Sequence, residues 1–255
     1  MTLQDVYNLI KQGKSKLVVD ACDLQETAAA LSRRELKPKV EVYSDYEAEE
    51  AQKLKQKLSR NWAYPLYKKV TSALSQWTEQ DKTIIFKTKN KENEVIVGDI
   101  YEGESIDYFI TAIYANNIFN RFNDFIIVDK DTEANPVVYT IPIQSVYSYT
   151  VSGYNVTSLL YKIGAFKHDQ RGLVSVYRFM GYLDEYNGLY SVMIENDENG
   201  NRVVEDKTYR FEYNQNKPLQ FIPAIQVGRL KYDDNSFYLK ESRISEIIDD
   251  LESLR

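Results

Sequence analysis

The sequence is short of most residues on which compact chemical sites are built. It has one cysteine, Cys22, and one histidine, His168. A single cysteine excludes an intrachain disulfide and a thiolate metal cluster. A single histidine removes His-rich zinc sites and leaves little for histidine-dependent acid–base work. Glycine (10) and proline (6) are sparse in a chain of 255 residues, at about half their usual share, which excludes collagen-like and linker-rich architectures. No run approaches the roughly 18 apolar residues that a membrane span needs. Met1-Thr2-Leu3-Gln4-Asp5 is polar and acidic, unlike a secretory leader. Neither a P-loop glycine motif nor GxGxxG occurs, so a nucleotide-binding fold has no support. A GxSxG nucleophile elbow is missing as well.

What remains is a chain with 43% hydrophobic and 27% charged residues and a mean hydropathy of −0.49. That suits a soluble, intracellular type of protein with one large or two small domains. Tyrosine is abundant, with 21 residues, most of them after residue 100. Tyrosine favours strands and half-wet surfaces, because the ring packs while the hydroxyl keeps a partner. Charge is uneven. Residues 1–80 carry 13 Lys/Arg against 11 Asp/Glu, and residues 81–255 carry 19 against 27. An acidic later part argues against broad phosphate binding there.

The first 80 residues read as helical. Asp5–Gln12 makes a short helix ending before Gly13. Asp23-Leu24-Gln25-Glu26 resembles a capping box opening a helix to about Arg34, and Pro38 stops propagation. Further helices are expected over 45–59 and 64–77. Two strands follow, Thr83–Lys87 and Glu94–Val97, then a helix over Ser105–Arg121 with Ile106, Phe109, Ile110 and Ile113 on its stripe. Strands are expected at about 125–130, 136–142, 145–151, 156–165, 172–182, 189–195, 202–212 and 220–226. Asn199-Gly200 is the strongest turn signal, because Asn-Gly supplies the positive φ angles of a type I′ hairpin. It predicts a protruding hairpin pairing 189–195 with 202–212. A last amphipathic helix spans 241–255. The expected fold class is α+β: a helical region over 1–80, a hairpin-rich antiparallel body over 81–240 and that C-terminal helix.

Each candidate chemical site has a simpler competitor. His168 precedes a glycine turn and reads as a turn histidine. Cys22 lies between an apolar, strand-like Leu17-Val18-Val19 and the Asp23 cap, and reads as a small buried hydrophobe. Asp129, Asp131 and Glu133 alternate as in a calcium loop, but Ala134 stands where that loop needs glycine and Thr140 where it needs glutamate, so a solvated turn is expected. Asp20, Glu35 and Lys37 imitate the order of a metal-dependent nuclease, whose chemistry requires Glu and Lys on a strand beside the aspartate. The basic groups Lys11/Lys14/Lys16, Arg33/Arg34/Lys37/Lys39, Lys53/Lys55/Lys57/Arg60 and Lys68/Lys69 are interleaved with acids and read as solvated faces. No cofactor, metal or catalytic residue is assigned.

From about residue 104 the order of segments carries a likeness. The helix Ser105–Arg121 leads into Phe125-Ile126-Ile127-Val128-Asp129, then Pro136-Val137-Val138-Tyr139 and Ile141-Pro142-Ile143-Gln144-Ser145-Val146. Tyr209-Arg210-Phe211-Glu212-Tyr213-Asn214 and Phe221-Ile222-Pro223-Ala224-Ile225-Gln226-Val227-Gly228 come later. Over about 105–251 this resembles the N-terminal, wing-like half of tailed-phage portal proteins, of the type found in Bacteroidetes phages and prophages. The resemblance implies a homo-oligomeric ring of the virion, assembled in the host cytoplasm, with other virion proteins as neighbours and with terminase and DNA as partners of the complete portal. It implies no enzyme and no membrane. The stem and clip of that family would follow where this sequence stops. The alternatives are a head–tail connector or protein-binding module, and last the nuclease. On the assembly reading, Ile244, Ile247, Ile248 and Leu251 of the final helix form an interface stripe.

Overall fold

A computed structural model describes residues 1–32, 121–130, 136–153, 155–213, 217–230 and 240–241. The helices and strands expected between 45 and 121, and the helix over 241–255, lie outside the described residues except for Glu241, which belongs to a two-residue strand with Lys240. The fold is α+β: helices at the N-terminus, then antiparallel sheets. The chain divides into two compact units, Met1–Cys22 with Asn123–Lys240, and Asp23–Phe122 with Glu241–Arg255. Nearly all described residues belong to the first.

Helix α1 spans Leu3–Gln12. Thr2 caps it: its hydroxyl accepts from the Asp5 amide, and the Asp5 carboxylate accepts from the Thr2 amide. These reciprocal bonds satisfy amides that the helix itself leaves open. They also hold the Asp5 carboxyl below its ordinary value, the Thr2 backbone contact being the largest cause. Gly13 ends the helix at φ 80°, a conformation that suits glycine.

Helix α2 runs without interruption over Lys16–Ser32. It corrects two expectations. Leu17-Val18-Val19 is helical rather than strand-like, and Asp23 stands inside the helix rather than at its cap. The reason lies just upstream, where the Ser15 carbonyl accepts from the Val19 amide at 3.1 Å and the Ser15 hydroxyl from the Val18 amide at 3.4 Å. Val18 and Ala21, three residues apart, are then both fully buried in one core. Tertiary burial outweighs the local β preference of a short valine run. In the second unit, the buried Gln25 side chain donates to the Phe122 carbonyl at 3.0 Å.

Five antiparallel strands form the main sheet, in the order β3 (Val146–Ser152), β4 (Asn155–His168), β5 (Gly172–Leu183), β6 (Gly188–Asn196) and β7 (Lys207–Arg210). Sequential order with short connections is a meander, the arrangement that tight hairpin turns enforce. A second sheet places β1 (Phe125–Lys130) between β2 (Pro136–Ile141) and β10 (Ala224–Gln226), pairing Phe125 with both Ile141 and Gln226. Two short strands, β8 (Glu212–Tyr213) and β9 (Lys217–Pro218), form a further ribbon.

The main sheet has an apolar core on each side. On one, α1 contributes Val6 and Ile10 against Leu160, Tyr177, Phe179, Leu183, Val192 and Ile194. A side chain at Gly181 would overlap the Phe179 ring on this face. On the other, the start of α2 and the second sheet bring Val18, Phe125, Ile127 and Ala224 against Val146, Tyr149, Leu159, Tyr161 and Met180.

The expected turn at Asn199-Gly200 forms, with a different geometry. Gly200 donates to the Asp197 carbonyl at 3.0 Å, and Asp197 to the Asn201 carbonyl at 2.9 Å. Only Gly200 takes a positive φ, so this is a type I turn followed by a glycine bulge rather than a two-residue I′ turn. The Asp197 carboxylate, which accepts from the amides of Asn199 and Asn201, replaces the second left-handed residue, and the Asn201 amide is the main reason its carboxyl is held low. The pairing is also shorter than expected: Asn196 bridges Arg202, and the regular ladder resumes only at Met193–Lys207.

Candidate functional site

The interface stripe Ile244, Ile247, Ile248 and Leu251 lies outside the described residues, as do Glu35, Lys37, Asp131, Glu133 and Ala134. Asp20 stands on helix α2; Glu35 and Lys37, which the nuclease pattern needs on a strand beside it, are outside the described residues. Cys22 is half-buried against the core and lies inside helix α2, away from that helix's N-terminus. His168 closes β4, and its Nδ1 accepts from the Gln170 amide at 3.2 Å, a local turn contact. Lys11, Lys14 and Lys16 are exposed. Among the described residues no three His, Cys, Asp or Glu side chains are placed to hold a metal ion. No helix there is long and apolar enough to cross a membrane.

Asp129 is where the sequence expectation fails most informatively. It is not in a solvated turn. It belongs to β1, and its carboxylate pairs with the Arg178 guanidinium from β5. The same Arg178 nitrogen, Nη1, donates to the Tyr139 hydroxyl at 2.8 Å, and Nε donates to Ser191 Oγ at 2.7 Å. Tyr139 in turn donates to Asp129 at 3.2 Å, and its oxygen lies 3.3 Å from the Tyr161 hydroxyl. One cation therefore links side chains from both sheets, β1 and β2 on one side and β4, β5 and β6 on the other.

Strand alternation explains the convergence. Phe125, Ile127 and Asp129 share one face of β1, which points into the seam. Arg178 lies opposite Tyr161 on β4 and opposite Met193 on β6. Its side chain is 15% exposed and that of Asp129 is 23% exposed, so the pair sits near the mouth of the seam rather than at its centre.

The electrostatics tie these groups to one another. Burial, first of all, pushes both the Tyr139 and Tyr161 hydroxyls well above the ordinary phenol value. Burial works against the charge of Arg178, but the hydrogen bond to Asp129 and the fields of Tyr161, Tyr139 and Asp129 override it and hold the guanidinium firmly protonated. A fixed cation, a carboxylate and two neutral phenols bind each other. Neither phenol is poised to give up its proton near neutrality.

A second polar corner closes the other end of the same seam. Asn123, at φ 72°, donates its amide to the Val227 carbonyl at 2.8 Å, and its side-chain oxygen accepts from Gln226 at 3.0 Å. Gln226 also donates to Tyr149 at 3.2 Å, and the buried Asp124 carboxylate accepts from the Ile143 amide at 2.9 Å.

The sequence reading missed Arg178. Its signal was present, since an arginine between Tyr177 and Phe179-Met180 puts a charge in the middle of an apolar strand. A charge in that position needs a buried partner. The surface offers other features: Ile163, Phe166 and Leu173 are exposed near the β4–β5 turn, as are Tyr209, Phe221 and Ile225 elsewhere. No protein-family model matches this sequence, and no curated protein matches it either.

Proposed function

We propose that the chain is a virion structural protein, portal-like, that works by homo-oligomeric assembly at the DNA packaging and ejection vertex. One observation carries the reading. The separate segments behind the portal resemblance are spatial neighbours: Phe125–Lys130, Pro136–Ile141 and Ala224–Gln226 form one three-stranded sheet, and Ile143 and Val146 pack in the core against it. Segments about 100 residues apart thus act as one structural unit, which is what the shared fold behind the resemblance would require. A seam locked by Arg178 and two neutral tyrosines suits a rigid building block.

The test is stoichiometry. Native mass spectrometry and sedimentation velocity of the full chain should find a closed oligomer, alone or with virion proteins added. Ile247→Asp should weaken that assembly while leaving the circular dichroism spectrum intact, because an unpaired carboxylate in an apolar seam costs several kcal/mol. A wild-type chain that stays monomeric at high concentration, alone and with those proteins, overturns the reading.

A further inference from the structure

The main sheet is uneven in length, and the unevenness leaves one edge open. Strand β3 pairs with β4 only as far as Val146 opposite Tyr161. Before Val146 the chain turns off through a single 3₁₀ turn, Ile143–Ser145. Strand β6 stops likewise, with Asn196 opposite Ser175. Strands β4 and β5 continue alone to His168 opposite Gly172. Lys162–His168 is therefore hydrogen-bonded to β5 on one side only, and its other side carries a row of unpaired amide and carbonyl groups.

Three further observations bear on this ribbon. Ile163 is 51% exposed, Phe166 42% and Leu173 46%; Phe166 lies opposite Val174 and Leu173 opposite Lys167, so apolar side chains stand exposed on both faces of a two-stranded ribbon that cannot bury them by itself. Gly164 has no atom within 4 Å of the place where a side chain would begin, and its φ is not positive. Gly164 stands just after a bulge in the β4–β5 ladder at Ile163, where glycine is common, and its bare backbone also permits close approach by another chain. Charge is the third. Between Asn155 and His168 the strand carries Lys162 and Lys167 and no carboxylate, in a chain of net charge −6. The nearby Glu198 is engaged on the β5 side, accepting from the Leu173 amide at 3.3 Å. Arg171 is held on the Arg202 and Val203 carbonyls.

We propose that Lys162–His168 is a docking edge to which an extended segment of another polypeptide, alternating acidic and apolar side chains, adds as a further strand. Main-chain pairing supplies the attachment, while Ile163 and Phe166 gain cover. The lysines select the partner. Antiparallel self-pairing about Ala165 would crowd the lysines of two copies together, whereas an acidic strand places opposite charges across the ladder.

The experiment uses the full chain, a capped heptapeptide of alternating Glu and Val as probe, and the same peptide with Lys in place of Glu. Amide hydrogen exchange should show that the acidic peptide protects residues 162–168. The double substitution Lys162→Glu/Lys167→Glu should weaken the acidic peptide about tenfold and favour the lysine peptide, while the circular dichroism spectrum stays that of the wild type. An acidic peptide N-methylated on alternate amides should bind measurably worse. The proposal is overturned by no protection at millimolar peptide, by equal binding of the two peptides, or by protection that rises with protein concentration alone, which would identify a second copy as the occupant. Stoichiometry does not enter these readouts, so the docking edge and the assembly reading fail separately.

Discussion

The two faces of the five-stranded sheet solve the same burial problem by different means. On one face helix α1 covers the strands, and the contacts at its centre are apolar: Val6 and Ile10 meet Phe179, Val192 and Ile194. Polar contacts stay at its margin, where the Tyr7 hydroxyl donates to Asp206 at 2.6 Å and Asp206 pairs with Arg202 at 3.3 Å. On the other face a second sheet covers the strands, and its apolar core is bolted at the mouth by Arg178 and Asp129. A helix can slide and rotate over a pleated surface until its stripe fits. Two sheets have period-2 side chains that match in few registers, so a misplaced strand pair exposes the wrong face. Directional contacts stand where packing alone would leave register weakly specified.

The largest loss is expected on the helix side. Phe179 is buried beneath α1, and Phe179→Ala should cost about 3–5 kcal/mol in urea unfolding, from lost transfer energy plus a cavity. Arg178→Leu on the opposite face should cost about 2–4 kcal/mol, because it strands the Asp129 carboxylate in the seam. The discriminating measurement is the double substitution Arg178→Leu/Asp129→Leu. It should recover much of that loss, as paired buried charges exchanged for apolar groups often do. No recovery would mean that the bolt is more than its charge pair. Thr2→Ala removes the α1 cap and should cost about 1 kcal/mol, visible as faster amide exchange in α1 and not in β4 or β5.

The smallest effect is alkaline. Burial is the leading cause that raises the tyrosine pKa values on both faces, Tyr7 and Tyr147 on the helix side and Tyr139 and Tyr161 between the sheets. For Tyr147 the value is pushed up to about 12. Above the ordinary phenol pKa near 10, the unfolded chain loses these protons while the native chain keeps them. Fewer protons on the unfolded state make stability fall as pH rises. The stabilisation is complete below about pH 10 and, for Tyr147, is lost by about pH 12. Ultraviolet titration of phenolate should show a late-ionising group, and Arg178→Leu should change that group through Tyr139 and Tyr161 alone. A titration in which every tyrosine ionises together near pH 10 would contradict this account.

Local pattern carried much of the fold. Strand alternation around the glycine turns was enough to place the strands from Phe125 to Asn196, because each hairpin's register follows from its own turn. Helix α2 was read wrongly at its start because Asp23-Leu24-Gln25-Glu26 has the form of a capping box while the real start depends on Ser15 and on burial of Val18. The partnership of Asp129 with Arg178 was not legible. It links residues 49 apart in sequence, and local pattern could show only that each was a charge among apolar neighbours. The edge at Lys162–His168 was hidden for a related reason: the strand could be recognised, but where its neighbours stop depends on pairing.

The pairing of β1 with β10 also has a consequence in time. Phe125 needs Gln226 as its ladder partner, and α1 needs Val192 and Ile194 as its floor. A ribosome adds roughly 5–20 residues per second. Helix α1 therefore emerges about 10–45 s before the last strand of its own unit can join. Until Val192 and Ile194 are made the apolar stripe of α1 lacks its floor, and until Gln226 is made β1 lacks one of its ladder partners. The nascent chain must carry each unpartnered face for that time, and this delay is a period of exposure to holding factors and to other nascent chains on the same message.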